Sequence, residues 1–467
     1  MTLGSDKIHA LAVSGQSQML ERMNTFFNKS KTRSNPTVVS RENHSLSFSL
    51  VSRDAIKVVQ TLQKAGYEAY IVGGSVRDLL LGLSPKDFDV ATNALPLEVK
   101  ALFRRSRIIG RRFQIVHVQF SREVIEVTTF RSNEKSNSDE QPKNTDSRQK
   151  TDSGLLTRDN VFGTLEEDAA RRDLTVNALY YDPSEEIIYD FADGMKDIKN
   201  RVIRIIGNAS TRYSEDPVRL LRVIRFSAKL DFTIETGTAK PIRKLSSDLR
   251  YISSPRLFDE SLKLFMSGEG LSSYKLLKEY GLFEYIVPQA KNLVRNKSIN
   301  ADSLFTQAFL NTDNRIKSSQ RVTPAFIYAA LLWPSLVKLT EAFKEKGNSP
   351  SYSLNKAASE VISRQICITA IPKRFTIPMR EIWDLQLQMP RRGGKRAERL
   401  SLHRRFRAGY DFILLREQAG ENLGNLGEWW TIYQEASIEE REEMSQNVSK
   451  TSKRIVRNRK SKPKNAK

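Results

Sequence analysis

The spacing of the apolar residues changes near Asp216, and this change limits the folds open to the chain. Before it, short β-prone runs such as residues 67–72 alternate with helical segments such as residues 51–65. After it, nearly every segment up to about Gly420 has a helical period, interrupted by short Gly or Pro breaks. The pattern predicts an α+β head followed by an all-helical neck and body.

Other segments of the head also carry secondary-structure signals. Residues 88–91 are predicted to form a short strand, and residues 112–120 and 123–130 to form two paired strands. Residues 166–181 have the period of a helix, and residues 187–190 have the composition of a strand. The motifs described below therefore fall at junctions between strands and helices.

Three segments are too polar to pack into a core. Residues 1–45 are irregular, residues 132–154 are rich in Ser, Asn, Asp, Lys and Gln, and residues 436–467 end in a block of Lys and Arg. We expect a disordered leader, a mobile insert and a disordered basic tail, respectively. The expected ordered domains are a catalytic head at 46–207, a helical neck at 208–270 and a helical body at 271–435.

The chain is strongly basic, with 76 Lys and Arg against 54 Asp and Glu, a net charge of +22 and a pI near 9.9. This excess indicates a polyanionic partner, either nucleic acid or an anionic membrane surface. The sequence contains no run of about 18 consecutive apolar residues, so no integral membrane segment is predicted. The single cysteine, Cys367, excludes a disulfide within the chain and fits a reducing, cytoplasmic location.

A glycine pair, Gly73-Gly74, stands between a predicted strand and a predicted helix and is followed by Ser75 and Arg77. Glycine lets the backbone approach a phosphate closely, and the N-terminus of a helix offers free N–H donors. A plain turn explains the same residues, so the neighbouring motifs decide between the two interpretations.

Two acids follow in the run Lys86-Asp87-Phe88-Asp89. Side chains two residues apart in a strand project to the same face, so Asp87 and Asp89 would lie together, with Cα atoms about 7 Å apart. Two such carboxylates can hold the pair of divalent cations that nucleotidyl transfer uses. Two exposed acids at a strand edge are the alternative for these residues in isolation.

The order of a Gly-Gly turn, a helix and Asp-x-Asp resembles the nucleotidyltransferase superfamily that includes DNA polymerase β. The strings at 72–82 and 85–94 are similar to its class II branch, which holds the tRNA CCA-adding enzymes and the bacterial poly(A) polymerases. The resemblance implies a polymerase-β-like head and a mechanism with two Mg²⁺ ions, with Mn²⁺ as the alternative. It also implies nucleotide binding by Gly73, Gly74, Ser75 and Arg77.

Further motifs of this branch follow in the same order. The run 125–131 resembles the strand that offers another acid to the metals, here Glu126. The run Arg171-Arg172-Asp173 is similar to the motif that supports the sugar of the incoming nucleotide, and the resemblance makes Asp173 a catalytic acid. A surface ion-pair cluster is the simpler interpretation of such a run taken alone.

The segment 215–226 is the strongest single motif. Pro217 suits the first turn of a helix, so Asp216, Arg219 and Arg222 would share one face. The resemblance to the class II branch makes these three residues candidates for nucleotide binding. In class II enzymes the corresponding Asp and first Arg read the Watson–Crick edge of the base, because a carboxylate only accepts and a guanidinium only donates. A salt bridge that caps the helix is the alternative.

Two basic clusters in the helical body are candidates for binding RNA phosphates, with Phe406 or Tyr410 stacking on bases. Solvated helix faces are the alternative. The candidate RNA-binding residues are Arg391, Arg392, Lys395 and Arg396 in the first cluster and Arg404, Arg405 and Arg407 in the second.

The shared motifs do not separate the two enzymes of the branch. The stretch 108–118, several runs of the body and the basic tail resemble the poly(A) polymerases. The resemblance implies a monomeric, cytoplasmic bacterial enzyme that adds AMP from ATP to RNA 3′ ends and so promotes RNA decay. It also implies RNA-decay factors and the Sm-like RNA chaperone as partners, and no DNA. A CCA-adding enzyme and a non-catalytic RNA-binding protein remain the alternatives.

Overall fold

The computed structural model describes residues 35–110, 114–121, 123–132, 149–150, 156–158, 162–291 and 301–448. These residues form two compact units, one that ends at Ile198 and one that begins at Lys199 and includes residues 149–150 and 156–157. We call them the head and the helical unit and describe each by itself.

The strands belong to one large sheet and two small ones. In chain order they are β1 (Thr37–Val39), β2 (Ala69–Val72), β3 (Asp89–Thr92), β4 (Ser106–Ile109), β5 (Ile115–Gln119), β6 (Val124–Thr129), β7 (Gln149–Lys150), β8 (Leu156–Arg158), β9 (Leu179–Asp182), β10 (Ile187–Asp190), β11 (Val202–Ile203) and β12 (Thr233–Ile234). The sheet of the head has the order β1-β10-β9-β2-β3-β6-β5-β4, while β7 pairs with β8 and β11 with β12. Within the large sheet β3 and β6 are parallel, and the other neighbours are antiparallel.

Short helices accompany the sheet of the head. They are α1 (Arg53–Lys64), α2 (Gly74–Leu80), α3 (Pro96–Leu102), α4 (Leu165–Arg171) and α5 (Gly194–Asn200). The side chain of Ser52 caps α1 by accepting from the first free N–H groups, and α1 buries Val58 and Leu62 against β2 and β3. All four residues of β2 are buried, which places this strand at the centre of the head and fixes the start of α2.

Two expectations for the head are wrong. The leader was expected to be disordered up to residue 45, but Thr37–Val39 forms the edge strand β1 paired with β10, because its β-branched residues suit a strand. The predicted helix at 166–181 ends at Arg171, and Leu179–Asp182 forms β9. Its residues are buried between β10 and β2, so position in the sheet overrides the local helical period.

The remaining helices belong to the helical unit. They are α6 (Ala209–Glu215), α7 (Val218–Leu230), α8 (Thr236–Ala239), α9 (Ile242–Leu245), α10 (Ser254–Phe265), α11 (Gly270–Glu279), α12 (Phe283–Ile286), α13 (Ala301–Lys317), α14 (Pro324–Glu345), α15 (Pro350–Ile366), α16 (Lys373–Gln388), α17 (Lys395–Ser401), α18 (Phe406–Gln418) and α19 (Leu426–Glu435). The α+β head and the helical second unit together confirm the predicted fold class.

The helix α14 is the central helix of its unit. Among the described residues it is the one helix long and apolar enough to cross a membrane by length and composition. It packs against α13, α15, α16 and α18, and Trp383 Nε1 donates to Ala329 O at 3.2 Å. Its apolar character is therefore explained by its place in the core.

The start of the expected tail is ordered, which corrects the boundary at residue 436. Residues 438–448 are helical, and Ser445 O accepts from Gly394 N at 3.1 Å. Met444 packs on the cluster that contains Trp430, so the apolar residues of this segment hold it in place. The rest of the tail, most of the leader and most of the insert lie outside the described residues, although Gln149–Lys150 forms β7.

Candidate active site

The Gly-Gly pair lies at the junction of β2 and α2. Gly73 has a φ of 77°, which side chains disfavour, and a Cβ at this position would lie 3.3 Å from Arg172 Nη1. Its N–H donates to Leu179 O at 3.2 Å, so the turn is tied to the strand β9. The backbone angle favours glycine here, and a side chain at this position would also force Arg172 to shift by a few tenths of an ångström.

Ser75 and Arg77 turn their side chains into the head. Ser75 Oγ donates to Val72 O at 3.2 Å. Arg77 is 2% exposed, and its Nε and Nη2 donate to Asp78 Oδ1 at 2.9 and 2.6 Å while Nη1 donates to Asn177 Oδ1. These contacts hold the turn, and the first N–H groups of α2 are left without intrahelical acceptors.

Arg172 is fixed beside the turn by three groups of the head. Its Nε donates to Tyr180 Oη at 2.8 Å and to Asp168 Oδ2 at 3.2 Å, and its Nη1 donates to Asn177 O at 3.3 Å. Tyr180 Oη in turn donates to Asp168 Oδ2 at 2.7 Å. A guanidinium held from several directions keeps one orientation, so Arg172 presents a fixed positive charge at Gly73.

Arg171 and Asp173 stand on either side of Arg172 and are half-buried. Asp173 Oδ1 accepts from Leu174 N at 2.9 Å. The whole motif therefore lies on the connection that follows α4, with Arg172 as the member that contacts the turn.

The acids of the head lie on neighbouring strands. Asp87 is exposed, Phe88 is buried and Asp89 is half-buried, so the two acids alternate with an inward side chain. Asp89 is paired with Val72 of β2 on one side and with Glu126 of β6 on the other. The register thus brings Asp89, Glu126 and the beginning of the Gly-Gly turn together.

His117 extends this row onto a third strand. It is paired with Glu126 in the register of β5 and β6, and its Nε2 lies 3.1 Å from Glu126 Oε1. His117 lies within residues 112–120, which are predicted to form a strand, and the structure confirms a strand at Ile115–Gln119. The sequence carried no signal that this histidine would meet Glu126, because the two are joined only by strand register.

The acids Asp87, Asp89 and Glu126 carry like charges and repel one another. Burial raises the pKa of Asp89 to about 6, with Glu126 and then Asp87 adding to the rise and Arg172 opposing it. A divalent cation would relieve this repulsion, and carboxylate oxygens are ligands that Mg²⁺ prefers, so Asp87, Asp89 and Glu126 fit such an ion chemically. Within the described part of the chain, no three acidic, His or Cys side chains are already gathered as a complete metal site.

In the helical unit, Asp216 lies immediately before Pro217 and α7. Both of its oxygens are engaged by one side chain, since Arg256 Nη1 donates to Oδ1 at 2.8 Å and Nη2 to Oδ2 at 2.7 Å. Asp216 Oδ1 also accepts from Val218 N at 3.3 Å. Fork-to-fork pairing of this kind is strong and directional, so Asp216 is held rather than free.

Arg219 has a separate set of partners. Its Nη1 donates to Glu215 Oε2 at 3.0 Å and to Arg212 O at 2.8 Å. Arg222 lies one turn further along α7, with its guanidinium 5.5 Å from the ring centre of Phe226. The structure therefore places Arg219 and Arg222 on α7 and Asp216 just before it. Arg219 N donates to Asp216 O at 3.0 Å, while the side chains of Asp216 and Arg219 bind different described partners.

The candidate RNA-binding residues occupy two places in the helical unit. Arg404 and Arg405 both donate to Glu381, and Arg407 Nε lies 3.0 Å from Asp411 Oδ1. In the other cluster, Arg392 lies over the Trp429 ring at 4.9 Å, and Arg391, Lys395 and Arg396 are exposed.

The proposed stacking residues of the body are not available to bases. Phe406 is 7% exposed and Tyr410 is 5% exposed, and both pack in a core cluster with Trp430. The prediction that they stack on RNA is wrong, because the face of α18 that carries them closes the core.

A turn that offers helical N–H groups beside acids on neighbouring parallel strands suits nucleotidyl transfer, and the fold is that of a nucleotidyltransferase head. Residues 69–204 match the family model described as the poly A polymerase head domain. Residues 231–293 match the probable RNA and SrmB-binding site of polymerase A, and residues 346–466 its arginine-rich C-terminus.

Similar proteins of known name show to which family of nucleotidyltransferases the chain belongs. Poly(A) polymerase I of Salmonella typhi is 44% identical over 435 residues, which cover 91% of this chain and 92% of the relative. Poly(A) polymerase I of Haemophilus influenzae is 45% identical and covers 85% of this chain. The chain belongs to the bacterial poly(A) polymerase family, which confirms the predicted resemblance.

The other branch is similar over a smaller part of the chain. A CCA-adding enzyme of Staphylococcus aureus is 35% identical over 51% of this chain and 56% of the relative. The Bacillus stearothermophilus CCA-adding enzyme solved with CTP has a TM-score of 0.52 and 26% identity, covering 81% of each chain. A class II fold is thus shared with the CCA-adding enzymes.

Arg256 and Asn177 are two further residues whose contacts the sequence did not predict. Arg256 lies 40 positions from Asp216, and Asn177 lies 100 positions from Arg77. Both stand inside runs that resemble the family, and this was the one available signal.

Proposed function

We propose that this protein transfers AMP from ATP to the 3′-hydroxyl of RNA without a template. The observation that carries the proposal is the register in the head, which sets Asp89 beside Glu126 and directly opposite the strand that enters the Gly73 turn. Acids for a metal and N–H groups for a triphosphate therefore stand next to each other.

In the proposed reaction the 3′-oxygen of the RNA attacks the α-phosphorus of ATP, and the bond to the pyrophosphate oxygen breaks. Divalent cations, when bound, supply activation of the hydroxyl and charge neutralisation on the leaving pyrophosphate. Asp87, Asp89 and Glu126 would hold these ions. Asp173, which lies beside Arg172, is proposed as the further acid of the site.

The nucleotide is proposed to be held by backbone and side-chain donors. The N–H groups of Gly74 and Ser75 at the start of α2 would bind phosphate oxygens, and Arg172 would add a positive charge fixed at the turn. Arg171 is proposed to support the sugar. Arg77 would act as a positioning residue, because its guanidinium is buried beneath the turn.

Base selection is proposed to depend mainly on Arg219. Asp216 has both oxygens on Arg256, so it has little capacity left to accept from a base. Among the described residues, Arg219 is anchored by its side chain through Nη1 alone, which leaves donors for the ring nitrogen that adenine presents on its pairing edge. Arg222 lies on the same helix and would support this face.

RNA is the proposed polymeric partner, along the arginines of both basic clusters. From family membership we also propose Mg²⁺ as the resident ion, a cytoplasmic location, a monomeric state and a role in RNA decay. RNA-decay factors and an Sm-like RNA chaperone are the proposed protein partners.

The test is extension of a labelled RNA that is not a tRNA, with Mg²⁺ and each nucleoside triphosphate supplied separately. Long ladders with ATP alone are expected. Addition of three nucleotides to tRNA only, with CTP and ATP both needed, would assign the chain to CCA addition. Absence of any extension while RNA binding persists would contradict catalysis altogether.

A further inference from the structure

A pocket opens inside the helical unit between α13, α14 and α18. Its volume is about 470 Å³, which falls within the range of roughly 300–1,000 Å³ typical of small-ligand sites. It includes Phe326, Leu414 and Ala408 on its apolar side and Arg321 and Arg407 on its basic side. None of these residues belongs to the nucleotidyltransferase motifs.

The walls of the pocket carry an excess of positive charge, although Arg404 and Arg405 both donate to Glu381. Five arginines and one carboxylate line it. The carboxylate, Asp411, lies 3.0 Å from Arg407 Nε and 3.8 Å from Arg315 Nη1. The side chain of Arg321 is exposed and forms no ion pair with any described residue. An occupant with an anionic group is therefore favoured.

The apolar side offers a flat surface. Phe326 is half-buried and is set by Phe412, whose ring lies at 5.7 Å and 72° to it. Leu414 lines the pocket from α18. An aromatic ring with a fixed orientation next to an arginine is the combination on which a base of single-stranded nucleic acid stacks.

Amide groups complete the lining. Asn311 Nδ2 donates to Gln418 Oε1 at 2.8 Å, and Asn311 Oδ1 accepts from Gln307 Nε2 at 2.8 Å. These two bonds orient the Gln418 amide, whose nitrogen donates to no described residue. Asn314 adds a second exposed amide. Amides carry both donors and acceptors, which matches the mixed edge of a nucleobase.

We propose that this pocket binds one unstacked nucleotide of the RNA strand, with its base on Phe326 and its phosphate between Arg321 and Arg407. The inference rests on the proposed RNA-extending function and adds to it a site that holds the strand in the helical unit. An acidic peptide would satisfy the arginines, but it would not use the ring and the amides together.

The test measures binding of labelled oligo(A) by fluorescence anisotropy, without ATP or divalent cations. Arg321→Gln is expected to weaken binding about tenfold, because a charge-assisted contact to phosphate is lost. Its matched control, Lys338→Gln, removes one exposed charge from α14 outside the pocket lining and is expected to change binding less than about twofold. Ala408→Trp fills the pocket and is expected to act like Arg321→Gln.

Equal effects of Arg321→Gln and Lys338→Gln would overturn the proposal, as would competition by oligoglutamate that matches competition by unlabelled oligo(A). Binding of free AMP that depends on Arg321, with oligo(A) binding unchanged, would also overturn it. AMP incorporation by the wild-type protein is measured in parallel. Its absence together with Arg321-dependent RNA binding would refute the proposed function and leave the pocket assignment standing.

Discussion

Asp89 in the head and Asp216 in the helical unit are both removed from full exposure, but their surroundings are opposite. Burial, followed by the charges of Glu126 and Asp87, raises the pKa of Asp89 to about 6, and Glu126 is its partner on the neighbouring strand. Asp216 receives two hydrogen bonds from Arg256 at 2.8 and 2.7 Å. One acid is surrounded by like charge, whereas the other is neutralised within the protein.

The difference indicates what each acid is for. Like charges held together cost free energy, and such an arrangement persists where a bound cation offsets the repulsion. A carboxylate paired with an arginine already has its counter-charge and serves to hold a neighbouring group in place. On this comparison we propose that Asp89 contributes to ion binding and that Asp216 positions a neighbouring group.

Substitution of Asp89 in the head should have the largest effect on the rate of AMP incorporation. Asp89→Asn is expected to lower the rate of AMP incorporation by about a thousandfold, because a metal ligand is lost and the metal contributes several kcal/mol to the transition state. RNA affinity should not change. The control is Glu185→Gln, which removes an exposed carboxylate of the same unit. Retention of more than a tenth of the activity by Asp89→Asn would refute the assignment.

The turn beside Asp89 can be tested by a pair of glycine substitutions. Gly73→Ala and Gly66→Ala both place a side chain at positive φ, 77° and 88°, so each should lower stability by roughly 1–3 kcal/mol. A Cβ at position 73 also meets Arg172, whereas one at position 66 meets no atom within 4 Å. We expect KM for ATP to rise about tenfold in Gly73→Ala alone. A similar KM in both variants would show that the turn does not bind the nucleotide.

Release of Asp216 from Arg256 should lower the rate of AMP incorporation less than the loss of Asp89 does. It should instead change the selectivity between nucleotides. Arg256→Gln frees Asp216, so incorporation of CTP relative to ATP should rise about tenfold and stability should fall by about 1 kcal/mol. The measurement is kcat/KM with each nucleotide. Arg374→Gln is the control, because this exposed arginine forms no ion pair with a described residue. Unchanged selectivity would mean that Asp216, even when released from Arg256, does not contact the base.

The smallest expected effect is on the stability of the metal-free protein. The pKa of Asp89 lies near 6 in the folded state, above its ordinary value of 3.8, so the folded state binds the proton more tightly than the unfolded state. Its contribution to stability should be lost as pH rises through about 6. The Tm of Asp89→Asn should therefore exceed that of the wild type by an amount that grows from pH 4 to pH 7. Mg²⁺ should reduce this difference. A difference in Tm that does not change with pH would contradict the inferred repulsion between Asp89 and the neighbouring acids.

The motif residues differ in how far sequence alone could place them. Gly73 and Asp89 could be placed because a turn at positive φ and a period of two are local properties. The helix predicted at 166–181 failed at β9, where Tyr180 and Tyr181 are buried between neighbouring strands. Burial in a sheet depends on partners far along the chain, and no local window contains them.

The sequence by itself determined the two-part architecture, the family and the positions of the turn and the acids. These features depend on periodicity, glycine spacing and short motifs, all of which act over a few residues. Only the tertiary structure decided which acid is paired and which is not. The contacts of Glu126 with Asp89, of Arg256 with Asp216 and of Phe406 with the core arise from strand register and helix packing, which join residues that are distant in sequence.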